Sequence, residues 1–271
     1  MPSPVLVAKP ASPQWQPSHR LGSGLSFACA FTSSGATHRN IAGRGVSDVT
    51  LINATMTGGA YGPAAQFGSG TYAKASRSSS TQPTGGYTVA VLCRSNGTPS
   101  GGLPILACAS IVAVDATWYL GVSGGNPRFA RRNISNSYDV AAAGSYTWGS
   151  DYHLIAGTTV PANNADTSGS LLLHANGRRI ATGTYAAAPS AYTADPLLIG
   201  SLYDSTSNSV TAWPGDIAVV YIWRRSLSDA EHAALAADPF APVRPRPRAW
   251  ITSGTTAAAG PYHHFRRRRV S

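Results

Sequence analysis

Apolar and polar residues alternate with period two along most of this chain, as half-buried strands require. The pattern is clearest between Trp213 and Pro239. A Pro214-Gly215 turn signal leads into a strand in which strict alternation sends Ile217, Val219, Tyr221 and Trp223 to one face. Ala218, Val220 and Ile222 go to the other. Both faces are apolar, so the strand is expected to be buried on both sides, inside a sandwich. The chain turns polar at Arg224-Arg225, and Ser228 and Glu231 then stand at the spacing of a capping box. A short helix is predicted over 229–237, stopped by Asp238-Pro239.

Other segments repeat the strand signal. Leu25, Phe27 and Cys29 alternate, as do Tyr87, Val89, Val91 and Cys93. Strands are also predicted over 103–114, 117–122, 151–160 and 197–202, with a basic strand or edge over 127–133. The strongest hairpin spans 170–184, where Asn176-Gly177 sits between apolar runs. A type I′ turn favours such a pair because both central residues need positive φ. With 28 glycines and 19 prolines scattered along 271 residues, many short strands joined by turns are expected.

The residues Gly215, Asp216, Ile217, Val220, Ile222, Trp223, Arg225, Leu227, Ser228 and Glu231 match a recurring pattern. It resembles the last strand and helix of laminin-G-like, concanavalin A-like jelly-roll domains. Tyr61–Phe67, Tyr152-His153, His174–Gly177 and Leu197–Leu202 are similar to further strands of that family, in its own order, so the resemblance covers about residues 21–240. It implies an all-β fold: a two-sheet antiparallel jelly-roll sandwich (concanavalin A-like) with one short C-terminal helix and extended N- and C-terminal arms. The expected parts are a Pro-rich arm over 1–20, the jelly roll over 21–240 and an Arg/Pro-rich tail over 241–271.

Charge sharpens that division. The formal net charge is +10, yet seven arginines lie between Arg244 and Ser271 with no acidic residue, so the rest of the chain is only mildly basic. Arg244, Arg246, Arg248, Trp250, Arg266, Arg267, Arg268 and Arg269 are candidate partner-docking residues, because arginine forks recognise phosphate and carboxylate. Three cysteines, Cys29, Cys93 and Cys108, stand at no metal spacing and read as buried free thiols. Pro2–Val7 lacks the basic start and apolar length of a signal peptide, and no stretch reaches the ~20 apolar residues of a membrane helix. Synthesis in a reducing cytoplasm is therefore expected, with no membrane partner.

Candidate chemistry is sparse. Glu231 is the single glutamate and serves as a helix cap, so no paired-carboxylate catalyst is expected; nor is there a nucleophile elbow or a phosphate-binding glycine loop. An enzyme is not expected. The resemblance suggests a calcium ion at a sandwich rim, for which Asn163, Asp166, Asp204 and Asn208 are candidates. Each loop falls short of the 6–8 oxygens calcium takes, so no cofactor is expected. Glycan binding uses exposed aromatics, and Tyr138, Trp148, Tyr152, Tyr192 and Tyr203 are the candidates.

Two functions remain open. The first is a non-enzymatic virion structural protein of a bacteriophage, assembled in the host cytoplasm as capsid decoration or a neck- or tail-associated component. Its arms would fasten it to other virion proteins, capsid or tail, with nucleic acid met only through the basic tail. It would be oligomeric in the assembled particle and free to meet host-surface glycan. The second is a soluble glycan-binding lectin or adhesin module.

Overall fold

The computed structural model describes residues 9–10, 13–16, 19–32, 34–42, 48–76, 78, 81, 83–109, 116–190, 196–204 and 209–244. In chain order the first strands are β1 (Leu25–Ala30), β2 (Thr37–His38), β3 (Val49–Ile52), β4 (Thr55–Gly59), β5 (Gly62–Phe67) and β6 (Tyr72–Ala75). Next come β7 (Tyr87–Ser95), β8 (Gly102–Ala109), β9 (Ala116–Ser123), β10 (Asn126–Arg132), β11 (Tyr138–Ala142) and β12 (His153–Pro161). The last are β13 (Gly169–Ala175), β14 (Arg178–Tyr185), β15 (Leu197–Ile199), β16 (Ser201–Asp204), β17 (Ser209–Ala212) and β18 (Gly215–Trp223), before helix α1 (Asp229–Ala237).

Two antiparallel sheets form a sandwich. One runs β14-β13-β12-β7-β18-β5-β4, with β1 also paired to β18; the other runs β11-β10-β9-β8-β15-β6-β3-β2. Between them lies the core, with Phe27, Val89, Val91, Trp118, Phe129, Ile155, Leu173, Ile217, Val220 and Ile222. A second apolar cluster covers the outer face of the first sheet, where Leu92, Leu154, Val219, Tyr221 and Trp223 lie under Trp15, Leu235, Phe240 and Val243. Burying one large side chain contributes about 1.5–3 kcal/mol, so two buried faces make this sheet the more heavily stabilised.

All nine residues of β18 are buried. One edge pairs with β7; the other pairs first with β5, through Gly215–Ile217, and then with β1, through Val219–Trp223. A bulge sits where the partner changes: Ile217 opposes Cys93, Val219 opposes Leu92, and Ala218 is the extra residue. The Ala218 carbonyl accepts the Phe31 amide at 3.3 Å, so the switch leaves that acceptor satisfied. The bulge overturns the strict alternation read from the sequence. Ile217, Val220 and Ile222 face the inter-sheet core, whereas Ala218, Val219, Tyr221 and Trp223 face outward. A similar shift between Leu25 and Phe27 places Leu25 in the outer cluster, away from Phe27 and Cys29.

The hairpin and helix form as predicted. Asn176 and Gly177 have φ of 49° and 77°, the left-handed values of a type I′ turn. The helix rests on this turn: a Cβ on Gly177 would stand 2.9 Å from the Ala233 Cα. At its start the Ser228 hydroxyl accepts the Glu231 amide at 3.3 Å, and Glu231 Oε2 accepts the Ser228 amide at 3.0 Å. Arg225 grips both Glu231 oxygens at 2.7 and 3.0 Å, the chief cause that draws this carboxyl down to about 2.

Helix docking buries two imidazoles. His232 stacks on His174 of β13 with centroids 3.7 Å apart, and its Nε2 lies 3.0 Å from the Thr158 hydroxyl. Both termini of the described chain also pack here. The Gln14 and Gln16 amides donate to the Val243 and Pro242 carbonyls at 2.8 and 3.1 Å. Val243 is fully buried and Arg244 is held by Asp238 at 2.9 and 3.1 Å, so residues 241–244 pack with the folded body. Arg246, Arg248, Trp250 and Arg266–Arg269 lie outside the described residues. Cys29 and Cys93 are buried free thiols, and burial pushes both well above the usual thiol range.

Burial holds His38, His153, His174 and His232 below the ordinary imidazole value, His232 at about 3. The unfolded chain then binds protons near pH 6.5 that the folded chain refuses, so stability falls as pH drops from 6.5 towards 3. Urea unfolding at pH 7.5 and 5.5 should show a lower midpoint at the acid value, with about 1 kcal/mol lost; an unchanged midpoint would contradict the buried neutral imidazoles.

Candidate functional site

At one end of the sandwich β7 runs out and β18 begins, with Ser95 opposite Gly215 and Arg94 opposite Asp216. Beyond Ser95 the chain turns through Asn96, whose amide donates to the Pro214 carbonyl at 2.7 Å, and Gly97, whose φ of 131° few side-chain-bearing residues adopt. The loop between β11 and β12 closes the other side. Together they form an open groove of about 480 Å³ lined by Arg94, Ser95, Asn96, Gly97, Thr98, Trp148, Gly149 and Ser150.

A buried carboxylate positions Arg94. Asp216 has no exposed surface, and its Oδ2 accepts from Arg94 Nε at 3.0 Å and from Nη2. The guanidinium carbon also lies 5.4 Å from the centre of the Tyr152 ring. This fixes the Arg94 head while leaving 31% of its side chain exposed at the groove. Asp216 Oδ1 and the Tyr152 hydroxyl are both buried without a hydrogen-bond partner among the described residues. Burial is the main cause, with the Asp216 charge second, that pushes the Tyr152 phenol up to about 12.

Trp148 forms the groove wall from an aromatic cluster. Its ring lies 5.3 Å from Trp213, 5.0 Å from Tyr146 and 5.1 Å from His153, and its Nε1 donates to the Gly125 carbonyl at 2.7 Å. His153 joins this cluster to the loop: Nε2 accepts the Gly149 amide at 3.2 Å, and Nδ1 lies 2.6 Å from the Tyr146 hydroxyl. Asn96, Thr98, Gly149 and Ser150 are exposed at the rim.

Of the aromatics expected to meet a glycan, Trp148 lines this groove and Tyr152 lies beneath its arginine. Tyr138 does not join them. It sits on β11 in the opposite sheet, its hydroxyl donating to the Ala116 carbonyl at 2.9 Å and its ring 5.6 Å from Tyr119. Tyr192 lies outside the described residues, and Tyr203 is placed only by its backbone in β16.

The calcium ligands proposed from the sequence need correcting at Asp166. Its Oδ1 accepts Arg131 Nη1 at 3.0 Å and the Tyr185 hydroxyl at 2.6 Å, so this carboxylate neutralises a buried arginine. Asn163 Oδ1 accepts the Thr167 amide at 3.2 Å, which closes a turn. Asp204 is placed only by its backbone, and Asn208 lies outside the described residues. Among the described residues no three acidic, histidine or cysteine side chains converge as a metal site would need. Asp229 and Glu231, two residues apart, are each occupied: Asp229 by His174 and Arg179, Glu231 by Arg225 and Ser228. No helix among the described residues is long and apolar enough to cross a membrane.

The sequence pattern of the concanavalin A-like lectin/glucanases superfamily matches residues 67–231, more than half of the chain. The chain belongs to that superfamily. No curated protein sequence matches it. Among solved structures, the binding domain of Paraclostridial Mosquitocidal Protein 1 is similar with a TM-score of 0.58 at 12% identity, over 79% of this chain and 52% of that one. The binding domain of botulinum neurotoxin DC in complex with SialylT gives 0.60 at 12%, over 79% and 51%. This chain thus spans about half the length of those two. Domain 4 of AbnA, a GH43 extracellular arabinanase from Geobacillus stearothermophilus, in complex with arabinotriose, gives 0.58 at 12%, over 78% of this chain and 98% of that domain. At such identity these likenesses carry the fold alone.

The sequence reading missed Arg94, Asn96, Thr98 and His153 as site residues. One signal was present: Asp216 stands at the head of an otherwise apolar strand, and a carboxylate there demands a cationic partner. Replacing Arg94 by Met would leave Asp216 buried and unpaired. A loss of about 2–4 kcal/mol is expected, below the ~3–5 of a fully buried pair because Arg94 keeps solvent contact. The double variant Arg94→Met/Asp216→Leu should regain most of it in urea unfolding; additive losses would contradict the pairing.

Proposed function

We propose that this chain is a non-catalytic glycan-binding module whose ligand site is the groove between Arg94 and Trp148. The observation that carries this reading is the groove's lining. Hydroxyl, amide and backbone groups of Asn96, Thr98, Gly149 and Ser150 ring a fixed guanidinium beside an indole. Sugars present many hydroxyls and patches of C–H surface, so they suit prepositioned polar groups next to an aromatic edge. The superfamily, and domains of the same fold in complex with SialylT and with arabinotriose, support the choice of a glycan as ligand.

The charge balance favours a neutral oligosaccharide. Arg94 is the one cationic side chain lining the groove among the described residues, and its Nε and Nη2 are committed to Asp216. Asp216 already balances the Arg94 charge, so an acidic sugar gains little from it, whereas Nη1, without a partner among the described residues, can donate to a hydroxyl.

The virion role expected from the arms has less support. It rests on Arg246, Arg248, Trp250 and Arg266–Arg269, outside the described residues, while Arg244 is engaged by Asp238. The two roles are compatible, because a module of this kind can be carried on a larger assembly.

A glycan array probed with the whole chain tests the proposal. Neutral oligosaccharides should bind, and the exposed-residue variant Asn96→Ala/Thr98→Ala should weaken binding about tenfold without changing the urea midpoint. That corresponds to about 1.4 kcal/mol, one or two hydrogen bonds. Binding that is unaffected by this variant would remove the groove as the site, and an array with no neutral ligand would remove the reading.

A further inference from the structure

His153 is a buried titratable group hydrogen-bonded directly to the backbone of the groove wall. It opens β12, and its ring is buried against Trp148 and Tyr146, with centroids 5.1 and 5.5 Å away. The groove-lining Gly149 amide donates to its Nε2 at 3.2 Å. A backbone amide can only donate, so Nε2 must carry a lone pair, and the proton of the neutral ring must sit on Nδ1. There Nδ1–H meets the Tyr146 oxygen at 2.6 Å. The Asn176 oxygen is taken by the Leu154 amide at 2.9 Å, which turns its amide nitrogen, a donor, towards Nδ1 at 3.4 Å; that contact would need Nδ1 as acceptor, and the shorter Tyr146 and Gly149 contacts outweigh it.

We propose that His153 is a positioning residue for the groove: its unprotonated Nε2 holds Gly149, and with it the wall formed by Trp148 and Ser150, so protonation of His153 releases that wall. A proton arriving at Nε2 would turn the acceptor into a donor facing the Gly149 N–H. The two donors cannot share the bond, and the Gly149 amide must turn to water or another acceptor. Several neighbours, and burial itself, bear on this proton. Asp151, next along the chain from Ser150, and the Gly149 backbone, towards which a charged ring can donate, both favour the charged ring. Burial opposes it and is the larger effect. Tyr146 from the loop accepts from Nδ1 in either state, and the buried thiol of Cys93, opposite His153 on β7, stays neutral. The net bias is a ring neutral at pH 7 that charges on acidification.

The consequence for ligand affinity rests on the glycan-binding reading, whereas the consequence for the loop does not. The two are therefore tested separately, beginning with NMR of the whole ¹⁵N-labelled chain and no ligand. At pH 7.5 the His153 ring should show the Nδ1–H tautomer; a proton on Nε2 would overturn the proposal. In His153→Ala the Gly149 amide should exchange with solvent about five- to tenfold faster at pH 7.5, relative to Val91 in the same sample, and unchanged protection would also overturn it. His153→Gln, whose side-chain oxygen can accept the same amide, should restore part of the protection, and it guards against a general effect of truncation. The second arm uses the neutral oligosaccharide giving the strongest array signal. Its affinity should fall with the same midpoint as His153 titration in the wild type and lose that midpoint in His153→Gln. A loop that responds to His153 while affinity does not would overturn the groove as the ligand site and leave the positioning of Gly149 standing.

Discussion

Every layer of this molecule meets at β18, whose nine residues are buried on both faces while hydrogen-bonded along both edges. A strand so enclosed has no solvent face to absorb a register error, so its side chains must suit two different neighbours at once. The bulge at Ala218 resolves that demand. It lets the strand pass from β5 to β1 and re-aims Val219, Tyr221 and Trp223 at the outer cluster beneath the helix. The Trp223 indole, bonded to the Leu21 carbonyl at 2.6 Å, and the Tyr221 hydroxyl, bonded to the Pro239 carbonyl at 2.9 Å, then tie the ends of the folded body to the sheet.

The same strand places a charge where the groove needs one. Asp216 enters the sheet one residue after Gly215, and a buried carboxylate is tolerable only when a cation satisfies it. Arg94 does so from the neighbouring strand, and the ion pair becomes a mount that fixes the guanidinium before any ligand arrives. Arg131 and Asp166 solve a similar problem elsewhere in the opposite direction, with a buried arginine recruiting a turn carboxylate. Only the first pair keeps one member partly exposed, which separates a candidate recognition element from a structural tie.

The groove wall has a different origin. Its indole and phenol come from the loop before β12 and its imidazole from the first residue of β12, with Trp148 packed into the end of the core. A loop anchored by hydrogen bonds through a titratable ring is cheaper to rearrange than a strand, and binding surfaces are often drawn from such elements. A rigid Arg94 facing a wall of this kind offers a ligand one fixed side and one adjustable side.

Much of the architecture was written locally. Period-two alternation marked the strands, Asn176-Gly177 the hairpin, and Ser228 with Glu231 the helix start, because each depends on residues within a few positions of one another. The motif from Gly215 to Glu231 was enough to point to the sandwich and its superfamily. Alternation could not reveal the bulges at Ala218 and near Leu25, since a bulge is imposed by the register of partner strands distant in the chain. For the same reason, Asp166 read as a loop oxygen for calcium when its neighbour in space is Arg131, 35 positions away. Arg94 meets Asp216 across 122 positions, and which aromatics stay exposed depends on how loops fold over the sandwich end. Local sequence determined the elements and the fold family; long-range pairing decided where charge is buried, and therefore where the groove lies.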